Sequence, residues 1–259
     1  MQTMQYKLVE LQYADDFATI TMNNPKKRNA LSLKHMQELT AAFREVGESR
    51  VRGVILAANG PAFSSGHDFA DMAGNDLEAM RKILRVCTTL MDTIQQIPQP
   101  VLARVHAIAT AAGCQLVATC DLAVASTEAS FATPGGKGGW VCTTPMIAVS
   151  RNIGRKRALE MLLTGDTIDA HTAADWGLVN RVVPPDQLVA ESQRLLEAAT
   201  RGSLLSKGIG KQAYYAQIEM PQPQAYNYAI EVMASASQIP DAQEWMRAFQ
   251  EKRKPHFNQ

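Results

Sequence analysis

Two stretches of small residues, Ala62-Phe63-Ser64-Ser65-Gly66-His67-Asp68 and Ala109-Thr110-Ala111-Ala112-Gly113, each follow a short apolar run. Gly53 to Ala58 and Val101 to Val105 read as buried strands, and the chain reads as helical from Cys114. At such junctions the backbone carries the chemistry. Small side chains let a ligand come close, and free N–H groups at a helix start attract negative charge. Two turns of this kind can aim two N–H donors at one oxygen. Close strand–helix packing without a ligand gives the same pattern, and neither turn alone separates the two.

The reactive side chains nearby are few. His67 titrates near neutral pH, although a polar loop residue would read the same way. Asp68 and Asp71 suit the positive start of the short helix expected after them. Cys114 has no adjoining cation and reads as a packed thiol rather than a nucleophile. His106, between strand and turn, reads as a satisfied core histidine. Thr143 and Thr144 carry hydroxyls that cannot act as bases unaided. The run Gly135-Gly136-Lys137-Gly138-Gly139-Trp140 lacks the ending of a triphosphate loop and reads as a loop lining a pocket, with Trp140 as its apolar wall.

The elements that must hold these turns are legible from periodicity. Tyr6 to Tyr13 and Phe17 to Met22 alternate around Ala14-Asp15-Asp16, which predicts a hairpin. Ser32 caps a helix with Leu33, Met36, Leu39, Ala42 and Phe43 on one face. Val51 to Ala58 is a strand, and Asp76 caps a helix running through Ile94. With Val101 to Thr133, this gives an α/β chain of repeated strand–strand–helix units. From Arg155 the pattern is mostly helical: 156–163, 170–176, 186–200, 204–218, 224–237 and 241–252, with a short strand in 178–183. Residues 1–200 are therefore read as the core and 201–259 as a C-terminal helical region.

Composition narrows the class. The chain has 259 residues, 46% hydrophobic and 20% charged, with 26 Lys+Arg against 25 Asp+Glu. That balance fits a chain able to bury a core and offers no basic excess for nucleic acid. Cys87, Cys114, Cys120 and Cys142 include no C-x-x-C pair, so no zinc or redox motif is written, and a reducing compartment is expected. The first ten residues show no secretory h-region and no apolar run reaches membrane-spanning length, so a cytoplasmic protein without a membrane partner is expected.

Taken with Asn24-Pro25-Lys26-Lys27-Arg28-Asn29-Ala30-Leu31 upstream and Phe131-Ala132-Thr133-Pro134-Gly135 downstream, the two turns resemble the crotonase (enoyl-CoA hydratase/isomerase) superfamily. The likeness runs from about Tyr6 to Phe257 with its motifs in order. It implies a spiral core followed by helices that build a trimer or a dimer of trimers. It also implies lyase- or isomerase-type chemistry on an acyl-CoA of fatty acid metabolism, with the CoA thioester as substrate or ligand and no further cofactor or metal. By the same resemblance the oxyanion donors are the backbone N–H groups of His67 and Ala112. Lys27, Arg28 and Ala30 lie near the adenine and phosphates, and the Ser64-Ser65-Gly66 backbone lies beside the adenine or pantetheine. Phe249 and Lys252 reach CoA, sometimes that of a neighbouring subunit.

Three positions depart from the family pattern. Ala112 replaces the usual glycine, which narrows the pocket but keeps the donor. The two working carboxylates of the hydratase would fall at Gln115 and Gly135, where neither residue can give or take a proton. Each general acid or base contributes ~10²–10⁴ in rate, so hydration is not supported. What remains is an acyl-CoA enzyme needing only the oxyanion hole, such as a base-free decarboxylase of a malonyl-type thioester, or a non-catalytic acyl-CoA binding protein. An RNA-binding role is disfavoured by the near-neutral charge. Gln115→Glu with Gly135→Glu is expected to gain modest hydratase activity.

Overall fold

The computed structural model describes residues 6–257. Part of the N-terminal reading, residues 1–5, lies outside the described residues. Strands β1 (Val9–Ala14) and β2 (Phe17–Met22) pair antiparallel through a turn in which Asp15 takes a positive φ of 51°. Helix α1 (Leu33–Gly47) starts where Ser32 Oγ accepts from the His35 N–H, and it buries Met36, Leu39, Ala42 and Phe43. Strand β3 (Gly53–Ala58) begins two residues later than its apolar run suggests. Helix α2 (Leu77–Gln96) begins at the Asp76 cap and stops before Pro98 and Pro100.

The central part follows as β4 (Val101–Val105), β5 (Ala109–Thr110), α3 (Ala112–Thr119), β6 (Leu122–Ser126) and β7 (Ser130–Ala132). Then come α4 (Thr143–Ser150), α5 (Arg155–Thr164), β8 (Ile168–Asp169), α6 (Ala170–Trp176), β9 (Arg181–Val183) and α7 (Leu188–Ala199). Helices α8 (Leu204–Gln217), α9 (Gln222–Ala236) and α10 (Pro240–Gln250) end the chain.

Six strands form one sheet in the order β1-β2-β3-β4-β6-β9, parallel from β2 onward, and β5-β7-β8 form a smaller one. Successive passes of the chain visit both sheets. After β3, Ser64 bridges to Ala109 of β5; after β4 comes β5 itself; after β6 comes β7. The large core fills between the sheets and under α1 and α2, where Phe43, Phe63, Phe131 and Leu90 are fully enclosed. The other face of the large sheet is closed by α7, whose Leu188 and Leu196 pack on Ile55, Ala57, Leu102 and Val124. Apolar packing on both sides explains why β3 reads as an unbroken hydrophobic run, whereas β4 is interrupted by the partly buried Arg104.

Helix α8 is tied to this core by a buried ion pair. The Lys211 ammonium donates to the carbonyls of Ile94 (2.8 Å) and Gln99 (2.9 Å) and lies 2.7 Å from Asp121. The Tyr215 hydroxyl donates to the same carboxylate at 2.7 Å. Helix α9 buries none of its residues, and Tyr226, Ile230 and Met233 stand exposed along it.

Candidate active site

The first turn is held from three sides. The Phe63 N–H donates to the Ile108 carbonyl, and the Thr110 N–H donates to Ser64, stitching the turn to β5. The Ser65 N–H donates to Arg28, and the Ser64 hydroxyl donates to the Asn29 carbonyl. On its far side His67 forms a parallel bridge with Leu31: Leu31 N–H donates to Gly66, and Asp68 N–H donates to Leu31. In a parallel bridge the residue flanked by both bonds turns its own N–H away from the partner. The His67 N–H is thereby directed off the Leu31 edge, and it finds no acceptor among the described residues.

The second turn meets the first. A Cβ on Gly66, which sits at φ 83°, would come 2.8 Å from the Ala111 methyl and 3.2 Å from the Ala112 nitrogen. A Cβ on Gly113 would come 2.5 Å from the Ser64 carbonyl oxygen. Glycine is required at both points because the two turns interlock. Ala111 still pairs as a strand residue, donating to Ala132, while Ala112 already begins α3. That switch in one residue holds Ala111 at φ 50°, ψ −120°, a conformation costing about 1–3 kcal/mol for a residue with a Cβ. No side chain caps α3, and the Ala112 N–H, at the positive end of the helix, has no acceptor among the described residues. The helix begins here, two residues before Cys114, because the small residues from Ala112 onward are already helical.

Side chains around the two donors are mostly silent. Cys114 is fully buried and its thiol is pushed up to about 12 by desolvation, in keeping with a packed thiol. Burial likewise holds the His67 imidazole below its ordinary range, opposed by the nearby Leu31 carbonyl, which makes no well-formed bond to the ring. Both ring nitrogens are enclosed without a hydrogen-bond partner. His106 is only partly buried, and its Nε2 donates to the Gly60 carbonyl at 2.7 Å. Asp68 caps the short turn Phe69–Asp71, whereas Asp71 reaches back to accept from the Leu33 N–H and so caps α1.

Gln115 lies one turn along α3 from Ala112, 94% buried, with Oε1 facing the Cys87 thiol at 3.9 Å. Gly135 lies on a tight turn, Pro134–Lys137, that follows β7. A Cβ at this position would be driven into the Trp140 carbonyl oxygen, with Cys142 Sγ 2.9 Å away. The loop folds back into the space where a side chain at 135 would stand. The expectation that Gly135→Glu could supply a working carboxylate therefore fails on steric grounds. Lys137 anchors the loop through Asp166 at 2.6 Å, and Trp140 is half exposed.

The Lys27-Arg28-Ala30 segment is brought directly beside the first turn. Lys27 pairs with Asp68 at 2.8 Å, and the ammonium beside it holds the Asp68 carboxyl below the usual range. Arg28 is exposed at φ 52°, while Ala30 is buried and accepts from His35 Nδ1. The residue that organises this loop was not evident from sequence. Asn29, fully buried at φ 50°, donates to the carbonyls of Asn59 (2.8 Å) and Ala62 (2.9 Å) and accepts from the Asn24 N–H (2.8 Å). Its one sequence signal is an Asn in a turn, a residue that tolerates the left-handed region. Phe249 and Lys252 are not brought to this cluster. Phe249 is 75% exposed at the end of α10, and Lys252 makes no ion pair among the described residues.

A cleft of about 590 Å³ lies elsewhere, at the opposite end of α3, beside Asp121, Lys211 and Tyr215. None of the residues of the two turns lines it, and its Asp121, Lys211 and Tyr215 already bond one another. No helix among the described residues is long and apolar enough to cross a membrane.

Comparison with known proteins identifies the family. Residues 13–259 match the family model described as enoyl-CoA hydratase/isomerase. The mouse protein named enoyl-CoA hydratase domain-containing protein 3, mitochondrial, is 41% identical over 253 residues, covering 96% of this chain and 84% of its own. A solved enoyl-CoA hydratase of Mycobacterium smegmatis superposes with a TM-score of 0.94 at 43% identity, covering 96% of this chain and 98% of that one. The human enoyl-CoA hydratase domain-containing protein 3 superposes at 0.93 with 38% identity, covering 97% and 100%. The mitochondrial address belongs to the mouse protein's name, and it lends no support to the cytoplasmic expectation. By family model, sequence and fold alike, the chain belongs to the enoyl-CoA hydratase/isomerase family.

Proposed function

We propose that the chain binds an acyl-CoA thioester with its carbonyl oxygen between the N–H groups of His67 and Ala112, and does not hydrate enoyl-CoA. One observation carries the reading: two interlocked turns leave two backbone donors unpaired and adjacent, one of them at a helix start. Such donors favour the charge that develops on a thioester oxygen as an enolate forms, and each is typically worth ~10²–10³ in rate. Lys27, Arg28 and Ala30, with the Ser64-Ser65-Gly66 backbone, form the CoA-facing edge of the same cluster. Hydration needs proton transfers that Gln115 and Gly135 do not provide. The remaining chemistry is a reaction that makes its own enolate, as loss of CO₂ from a malonyl-type thioester does, or binding without turnover.

In this reading the passes through the two sheets form a spiral core, with residues 201–259 building a homotrimer or a dimer of trimers. The exposed apolar residues of α9 and Phe249 on α10 support that assembly, since such faces need a partner. A stable monomer in sedimentation at micromolar concentration would sink it. The site itself is tested by calorimetric titration with butyryl-CoA and with its thioether analogue, which lacks the carbonyl oxygen. The thioester should bind more tightly by about tenfold or more. Equal affinities would contradict the oxyanion site.

A further inference from the structure

The segment between β3 and the first turn carries a pair of residues with chemistry of its own. Asn59-Gly60 is the only Asn-Gly pair in the chain, and both residues are exposed. The amide carbon of an asparagine can be attacked by the nitrogen of the following residue to close a five-membered ring, and asparagine is among the thermolabile residue types. Two things hinder that closure: a side chain on the following residue, and a hydrogen bond that occupies the attacking N–H. Neither is present here. Glycine has no side chain, and the Gly60 N–H finds no acceptor among the described residues. The fold does not let this glycine be exchanged for a bulkier residue. Gly60 sits at φ 90°, and a Cβ there would collide with the Pro25 ring.

The same pair is wired into the loop beside the first turn. The Asn59 carbonyl accepts from the buried Asn29 amide at 2.8 Å, and the Asn59 N–H donates to the Met22 carbonyl. The His106 ring donates to the Gly60 carbonyl at 2.7 Å. The Asn59 amide itself donates only to Asn23 Oδ1, at 3.2 Å and at the surface. We propose that Asn59-Gly60 is a spontaneous modification site whose conversion to isoaspartate or aspartate loosens the Lys27–Ala30 segment and lowers affinity for CoA. The affinity part rests on the reading of that segment as the CoA-facing edge. In the first step the Gly60 nitrogen attacks the Asn59 side-chain carbon. The new C–N bond closes a succinimide, the bond from that carbon to Nδ2 breaks, and ammonia leaves with the proton lost from Gly60. Solvent water then opens the ring at either carbonyl. Opening at the main-chain carbonyl routes the backbone through the former side chain and lengthens it by one carbon, giving isoaspartate; opening at the other gives aspartate. Either product puts a carboxylate beside the segment that carries Lys27 and Arg28, where it repels an incoming phosphate. In isoaspartate the carbonyl that anchors Asn29 becomes that carboxylate. Because the backbone is tethered on both sides of the pair, the added carbon is not absorbed by a slack loop.

The test ages the intact protein in mildly alkaline buffer and follows it by peptide mapping that separates isoaspartate from aspartate. Asn59 should convert about tenfold faster than any other asparagine of the chain, with isoaspartate among the products. Asn59→Gln, whose amide would have to close a larger ring, should not convert. Asn59→Ser, which has no amide, gives a second unreactive form if Asn59→Gln fails to fold. Anion exchange separates converted chains by their added charge, and calorimetric titration with free CoA compares them with fresh protein. The converted protein should bind free CoA about tenfold more weakly, and Asn59→Asp, which adds the charge without the extra carbon, should lose less. Asn59→Gln should hold its own starting affinity through the same incubation. If Asn59 converts no faster than the other asparagines, the modification site is overturned. If it converts and free CoA binds fresh and converted protein alike, the coupling to the loop is overturned. If fresh protein binds no CoA, the underlying reading of the Lys27–Ala30 segment falls, while the peptide map alone still decides the modification site.

Discussion

The start of α3 and the loop after β7 differ in what the proposed reading asks of them. At the start of α3 the donors belong to the backbone, and replacing a family glycine by Ala112 leaves the N–H in place. In the loop after β7 the function would belong to a side chain, and with Gly135 there is none. The space a side chain at 135 would occupy holds the Trp140 carbonyl, with the Cys142 sulfur beside it. Function written in the backbone survives substitution. Function written in a side chain would be lost with it, and at position 135 the fold leaves no room for one.

The largest expected effect breaks or sharpens this contrast directly. Crotonyl-CoA hydration, followed by absorbance, should run at least ~10⁴-fold below the ~10 s⁻¹ of an ordinary enzyme. Gln115→Glu with Gly135→Glu should not restore it, because the second carboxylate cannot enter without moving the loop. Gly135→Glu alone should destabilise the protein by about 3 kcal/mol in urea unfolding, as overpacked positions do. A double variant that is both stable and active would erase the distinction between the two regions.

Next in size is the loop that supports the first donor. Asn29→Ala removes three hydrogen bonds and leaves buried backbone groups unpaired, which should cost about 3 kcal/mol of stability. CoA affinity should fall about tenfold with it, since the Lys27–Ala30 segment loses its anchor. A variant that unfolds like the parent would show that the loop is held by other means.

The smallest effect concerns pH. Burial holds the imidazoles of His35 and His67 below their ordinary range, so both are neutral in the folded chain. The unfolded chain takes up those protons near about pH 6.5 and below. Stability from this source is therefore complete above that pH and is lost as the solution is acidified. His67→Gln should flatten the dependence of the melting temperature on pH between about 7 and 5. A slope unchanged by the substitution would contradict the burial of this ring.

The sequence was most informative where a short-range rule governs. Ser32 and Asp76 cap the helices they precede, and 170–176 is helical as its pattern indicates, because capping and periodicity are local. The helix α4 was missed since Thr143, Thr144 and Pro145 look like loop; a proline in a first turn costs no hydrogen bond, so the helix tolerates it. Of the site, the two turns were legible as small-residue junctions. Their interlocking through Gly66 and Gly113 was not, because it depends on two segments that are distant in sequence. Asn29, the Ala111 dihedral pair and the filled space at Gly135 were likewise out of reach, each being a property of packing rather than of residue type.

The central claim, that the His67 and Ala112 N–H groups grip a thioester oxygen, is tested most directly by infrared difference spectroscopy of butyryl-CoA labelled with ¹³C at the carbonyl. Two donors polarise that bond, so the carbonyl stretch of the bound ligand should move to lower frequency than in free butyryl-CoA. A ligand that binds with its carbonyl frequency unchanged would contradict the account.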